Sequence, residues 1–510
     1  MKNILKKLML SAAFIIVGGL FTGCDKGFDE LNINTTAATA INPVFTLNNA
    51  TINSSLATAT IMYETGIVQQ MVTPNSGVLT GANFNQDNRD NTVQTWQRFY
   101  RSVIRNTQDV ISQSKTLTTR TNLVNMARIL QAYAFMVLTD SYGDIPYTDA
   151  GKGYTDLLFL PKYDTQQAVY TGIIKELTEA GTALDASKTT EAADILYGGD
   201  IAKWKKFANS LLLRAGMRLS KVDAAQAQSV VSKAAQAGVI EVNADNAVIR
   251  HDANYVNPTG NMLNSTEAAN IYLAAPFADY LKSTNDPRLK SIAVRYVGAK
   301  SGPEQTAAKA STDPSVQVGM PMGFDNNTIS TQVTKFNLAS FYDFSQVDRI
   351  RMAKTTAPSF IVTASQTQLL LAEAAQRGWV TGVVADLYNK GVRLHMEQMA
   401  AFDAKSAVTT AEADAYLTAN PYAATKALEL INTQYWVSSF LNGPETFANF
   451  RRSGFPVLTP NPFPGKSIKG NFINRLTYPN SEISVNKTNV DAAIGRQGAD
   501  DLDTKVWWNK

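Results

Sequence analysis

One cysteine, two histidines and a few clustered charges limit the chemistry open to this 510-residue chain. His251 and His395 stand far apart, and His395 lies between Leu394 and Met396 within a helical pattern. A nucleophilic enzyme needs a thiol or hydroxyl beside a base. A glycosidase needs two carboxyl groups ~5–9 Å apart, and no motif places such a pair. Asp140, Asp144 and Asp149 cluster in TDSYGDIPYTDA. Calcium would require six to eight oxygens from an alternating loop, which this run lacks. Gly143 and Pro146 stop a helix there, so the acids read as turn residues. Arg451 and Arg452 open RRSGFP, a helix end before a turn, and could clamp a carboxylate. Lys206, Ser210, Arg214 and Arg218 recur every four residues. They form either an anion-binding stripe or a face paired with carboxylates, and the second is the commoner use of such spacing.

Cys24, the only thiol, sits in FTGCDKGFDELN, so no internal disulfide can form. Upstream lie Lys2, Lys6 and Lys7, the apolar run LMLSAAFIIV (8–17), and then Gly18, Gly19, Thr22 and Gly23. A basic start, a short apolar run and small exit residues describe an export signal over residues 1–23. The run falls short of the ~20 residues that span a membrane. Cys24 in this position resembles the lipobox of bacterial lipoproteins, with Phe21 where that motif usually has Leu. The resemblance implies a lipidated Cys24, anchored by acyl chains whose burial contributes ~0.8 kcal/mol per methylene. Residues 24–42 then form a polar tether, and residues 43–510 the body. The chain carries +4. Removal of the three lysines of the signal leaves about +1, too little for a nucleic-acid partner. An apolar content of 45% is that of a globular protein.

Binding asks less of a sequence than catalysis does. A sugar offers an apolar C–H face, which aromatic rings cover, and a rim of hydroxyls, which amides, carboxylates and guanidinium groups meet. The 74–92 loop supplies Phe84, Asn85, Gln86, Asp87 and Arg89. An irregular stretch at 240–357 supplies Tyr255, Asn257, Asn261, Tyr272, Phe324, Asp325, Asn326, Phe341 and Tyr342. These loops are the candidate ligand surface, since loops on a rigid scaffold carry function disproportionately. No cofactor or metal is implied.

The scaffold that must hold these loops is helical. Apolar residues at steps of three and four mark helices over 43–73, 91–116, 121–141 and 163–185. Asp200 caps a strong helix with Trp204, Phe207, Leu211, Ala215 and Leu219 inward. Further helices are expected at 223–238, 275–283, 358–377, 380–401 and 423–440, with an irregular C-terminal segment beginning at turn signals such as PNPFPG. Short strands are expected at 246–251 and 332–338. Within 366–391, Ala372, Ala374 and Ala375 face Ala385, Tyr388 and Gly391 across a turn at Gly378. Small residues there let two helices approach closely, as in tetratricopeptide pairs. Segments 91–141, 163–219 and 358–401 could each hold one. The expected class is all-α, with tetratricopeptide-like pairs, minor β structure and a long irregular insertion.

The order and spacing of several segments resemble the SusD/RagB family of outer-membrane nutrient-binding lipoproteins. The segments are FTGCDKGFDELN (21–32), ARILQAYAFMVLTDSYGDIPYTDA (127–150), WKKFANSLLLRAGMRLS (204–220), LLLAEAAQRGW (369–379) with the helix after it, FRRSGFPVL (450–458) and the closing KVWWNK. This resemblance implies capture of a glycan or other nutrient without chemistry. It also implies a seat over a SusC-like TonB-dependent transporter, and ligand contacts from the first-helix loop and the long insertion. Two other classes compete: a helical scaffold that only assembles proteins, and a lipid-anchored glycan hydrolase. A solute-binding protein of the ABC type would alternate strands and helices, which this chain does not.

Overall fold

The computed structural model describes residues 41–509 apart from Ala57 and residues 76–79. Cys24, the export signal and most of the tether lie outside the described residues. From Pro43 onward the chain is mainly helical.

The long helices appear where the apolar periodicity places them. Thr121–Tyr142 packs on Gln166–Ala183, which packs on Ile201–Arg218, which packs in turn on Ala224–Ala237. Ala364–Gln376 pairs with Val384–Phe402 and also contacts Ala427–Ser438. Ile201–Arg218 touches Ala364–Gln376 and so joins the two sets. Caps fix the starts. Thr165 accepts from the Ala168 amide, Asp200 from Lys203 and Asp223 from Gln226. Thr363 and Gln366 form a reciprocal capping box. One close approach is at Gly391, in the pair Ala364–Gln376 and Val384–Phe402. A Cβ there would lie 2.8 Å from Leu369 Cγ, so only glycine lets the two backbones come this close.

Some boundaries differ from the sequence reading, for local reasons. The 43–73 segment divides into Pro43–Asn53 and Thr58–Ile67. Ser54 and Ser55 donate to the carbonyls of Ala50 and Ile52, a side-chain competition that ends helices. The 358–377 segment begins as a strand, Ser359–Val362, antiparallel to Ala247–Ile249, and turns helical only after the Thr363 cap. The strand expected at 332–338 is instead the helix Ile329–Lys335. The Asp325 carboxylate accepts from the Asn327 and Thr328 amides and organises the turn that starts it. The C-terminal segment is more ordered than its turn signals suggest, with helices Asn480–Val485 and Lys487–Gln497.

The basic stripe proves to be structural. Lys206 pairs with Asp245 at 2.7 Å, Arg214 with Glu445 at 3.3 Å, and Arg218 with Asp140 at 3.1 Å and Glu445 at 2.7 Å. Asp140 also accepts from the Trp508 indole at 2.9 Å and from the Tyr170 hydroxyl. Asp144 receives the Gln166 amide and the Arg496 guanidinium. Arg452 is a clamp, bound through two nitrogens to Glu373 at 2.7 and 2.6 Å.

Candidate functional site

The insertion builds its own small core from Val72, Tyr272, Ala274, Met320, Met322, Ile329 and Phe344, with Phe324 and Phe341 half-buried against it. Strand Met71–Val72 pairs with Tyr272–Leu273 and fastens this core to the helical body. Loops from three distant parts of the chain meet beside it. The Asn83 side-chain carbonyl accepts from the Gly323 amide at 2.9 Å, and its Nδ2 donates to the Phe324 carbonyl at 3.2 Å. Asn461 donates to the Asn83 carbonyl. Gln86 donates to the Gly465 carbonyl at 2.8 Å, and the Ser467 amide to the Asn85 carbonyl at 3.0 Å. Gly323 has φ +81, and a Cβ there would lie 2.6 Å from Asn461 Oδ1 and 2.9 Å from Pro462 Cδ. Glycine is what allows the 321–328 and 459–467 loops to close on each other.

One ring pair stands on this junction and a second packs on the insertion's own core. Phe463 stacks on the buried Phe84 with centroids 4.3 Å apart and planes at 27°. Phe341 stacks on Tyr342 at 4.1 Å and 29°, and its other neighbour is Tyr272 at 6.2 Å, edge-on. Asn75 Nδ2 donates to Asn270 Oδ1 at 2.7 Å, tying the first loop to the strand that carries Tyr272. Asn85 is buried with φ +51, and its Nδ2 has no hydrogen-bond partner. That nitrogen is closed off from solvent inside the junction, so it is an internal group and not a surface donor. Asn326 is exposed and Asp325 half-buried. Hydrogen bonds from Thr328 and Asn327 hold the Asp325 carboxyl below its usual range, so it faces solvent as an anion.

The other sequence-derived residues have internal partners. Arg89 binds Asp87 at 2.9 Å, Asp500 at 2.8 Å and the Tyr478 carbonyl at 2.7 Å. Asp87 also accepts from Thr477. Tyr272 is fully buried, and burial pushes its hydroxyl well above the ordinary value. Asn257 caps the helix Pro258–Leu263 and donates to the Ala357 carbonyl and Ser359 Oγ. Tyr255 is exposed, and its carbonyl lies 2.9 Å from His251 Nδ1. His251 and Phe360 line a groove of about 390 Å³ with Arg250, Glu397 and Gln398. His251 Nε2 lies 3.0 Å from Ser359 Oγ. The contact resembles a nucleophile–base pair, but Nδ1 faces a backbone carbonyl rather than an orienting carboxylate. His395 is buried with Nδ1 3.0 Å from Arg288. Among the described residues, no group of three or more His, Cys, Asp or Glu side chains could hold a metal ion, and no helix is long and apolar enough to cross a membrane.

Phe463 and Asn461 were not singled out in the sequence, where PNPFPG reads only as turn signals. A phenylalanine held between prolines is the signal that was available.

Comparison with known proteins follows the same architecture. A family model described as SusD-like, starch-binding and associating with the outer membrane, matches residues 33–479. No curated protein sequence matches. Among solved structures, a chitin-binding protein is 31% identical with a TM-score of 0.81, covering 92% of this chain and 100% of its own. A SusD-like protein of the Bacteroidetes is 26% identical at 0.79, with the same coverages. A SusD homologue from Bacteroides uniformis is 25% identical at 0.75, covering 92% of this chain and 99% of its own. With the family model spanning most of its length and the helical frame shared throughout, this chain belongs to the SusD-like family.

Proposed function

We propose that the protein is a cell-surface lipoprotein that captures an oligosaccharide and delivers it, chemically unchanged, to a partner TonB-dependent outer-membrane transporter. Acylation at Cys24, after removal of residues 1–23, provides the anchor, and residues 24–42 the tether. The capture surface is the junction of the 80–88, 321–328 and 459–467 loops with the Phe341–Tyr342 pair beside it. Phe463, Phe324 and Tyr342 offer ring faces to sugar C–H groups, and the exposed Asn326 meets hydroxyls.

The observation that carries this reading is the stacked Phe84–Phe463 pair at a junction knitted from three separate loops. Rings and amides held on a rigid frame suit a neutral polyhydroxylated ligand. The solved relative named as chitin-binding and the starch-binding family description suggest which glycans to try first. Electrophoresis of residues 25–510 through gels containing soluble chitosan, glycol chitin or starch tests the assignment. One of these polysaccharides retards the wild type, and Phe463→Ala and Tyr342→Ala each restore at least half of the lost mobility. Retardation that survives both substitutions together places the ligand elsewhere. Absence of retardation on every polysaccharide favours the scaffold reading.

A further inference from the structure

A groove of about 560 Å³ opens where the helices Ala224–Ala237, Ala364–Gln376 and Val384–Phe402 meet, beside the turn that joins the last two. None of the residues that build the three-loop junction lines it. One wall is Trp379. Gly378, at φ +73, ends the preceding helix, and the Trp379 amide folds back onto the Ala374 carbonyl at 2.9 Å. Ser232 of Ala224–Ala237 donates to the Trp379 carbonyl at 2.6 Å. The Arg377 guanidinium lies 5.3 Å from the ring centroid and is itself held by Glu373 at 2.8 Å. The indole is thus fixed and half-buried, and its N–H has no hydrogen-bond partner among the described residues.

The floor is Gln368. It is only 1% exposed yet lines the groove, and its Nε2 is buried without a hydrogen-bond partner. Its Oε1 accepts from no group among the described residues. A buried carboxamide left this way costs ~1–3 kcal/mol. Rotation about its last bond, a soft torsion, turns either end to the groove. Asn85 is shut inside the junction, whereas Gln368 borders open space.

Charge and surface narrow the ligand. Lys390, the one cation of the lining, is paired with Glu241 at 3.2 Å. Asp386 adds an acid with no ion-pair partner among the described residues. An anionic ligand therefore finds no free cation and one free carboxylate. Polar and apolar side chains share the lining about equally. That mixture suits a molecule with both C–H faces and hydroxyls, as a sugar ring has.

We propose that this groove is a second saccharide site, which holds a neutral mono- or disaccharide between the Trp379 ring and the Gln368 carboxamide, independently of the three-loop junction. Its volume suits a short sugar and not a polysaccharide chain, so retardation in polysaccharide gels reports on the junction alone. The capture reading and this site can each fail without the other.

Fluorine NMR tests the proposal. Residues 25–510 carry all six tryptophans. Labelling with 5-fluorotryptophan gives each a resonance, and Trp379→Phe identifies the one from Trp379. Maltose, cellobiose and N,N′-diacetylchitobiose are titrated separately. At least one is expected to move the Trp379 resonance saturably, while those of the buried Trp204 and Trp436 stay fixed. Phe463→Ala leaves that titration unchanged. Gln368→Leu raises its midpoint by about five-fold or more and, because it removes an unpaired amide, leaves the sugar-free melting temperature at or above the wild-type value. No saturable shift with any of the three sugars overturns the proposal. So does a shift that Phe463→Ala abolishes, one that Gln368→Leu leaves unchanged, or one that sodium glucuronate produces equally well. A melting temperature lowered by Gln368→Leu would show the carboxamide satisfied within the fold, which also overturns it. If the Trp379 titration is found but no polysaccharide retards the protein, the capture reading fails and this site stands.

Discussion

Glu64 is fully buried, with one oxygen 3.2 Å from the Ser141 hydroxyl and the other without a partner. Burial pushes its carboxyl up to about 8, against the lowering effects of Ser141 and Arg451. A carboxyl raised in the fold contributes its full stability below the unfolded value near 4.5, and that contribution is lost as pH rises toward 8. Glu64→Gln keeps the shape and removes the ionisation. Its melting temperature is expected to match the wild type at pH 4–5 and to exceed it increasingly from pH 6 to 8, a gap worth on the order of a few kcal/mol. A gap that stays constant with pH would show that Glu64 does not titrate there. Glu373 works with the opposite sign. Burial alone would raise it, but Arg452 and Arg377 hold it down at about 2. Its contribution is present above about 4.5 and lost as pH falls toward 2. Arg452→Met leaves that carboxylate buried with Arg377 and Asn432 but without its two-nitrogen clamp, and urea titration at pH 7 is expected to show a loss of ~3–5 kcal/mol. At this scale the sequence is half legible. The four-residue spacing of Lys206, Ser210, Arg214 and Arg218 is visible, and so is its pairing logic. Their partners are not: Glu445 lies 227 positions from Arg218, and no local pattern points across that distance.

Helices were legible because their signals are local. Asp200 announces a start and Gly378 a stop, and the small residues near Gly391 announce a close pair. Gly391→Val would drive a branched side chain into Leu369 and part the two helices. Overpacking of this kind costs typically ~1–3 kcal/mol, read as a lower urea midpoint with an unchanged slope. The strand expected at 332–338 is a helix because the DNNT turn just before it, closed by the Asp325 carboxylate, starts one. The loops were legible only as a population. Aromatics and amides in 74–92 and 240–357 were visible, but which of them meet depends on Asn83, Gly323 and Asn461, whose contacts span more than 200 residues. Gly323→Ala tests the junction as an element. With φ +81 and Pro462 at 2.9 Å, the added methyl should separate two of the three loops. Polysaccharide retardation is expected to fall several-fold while the melting temperature of the large helical core changes by no more than a few degrees. Unchanged retardation would remove the junction from the binding surface.

For the molecule as a whole, the helical body and its insertion form a frame with two outward specialisations: a three-loop junction of rings and amides, and a groove walled by Trp379 over the unpaired Gln368 carboxamide. The class of fold was readable from periodicity, and the family from the order of several short segments. The groove was not, because Gln368 and Trp379 stand in a helix-and-turn pattern that reads the same whether or not their polar atoms find partners. The central claim is capture without chemistry. Isothermal titration of residues 25–510 with graded chitin and starch oligosaccharides, followed by mass spectrometry of the recovered sugar, addresses it most directly. The account predicts saturable heat with one of these series, lost in Phe463→Ala, and sugar returned at its starting length. Shortened sugar in the recovered sample, or no heat with either series, would contradict it.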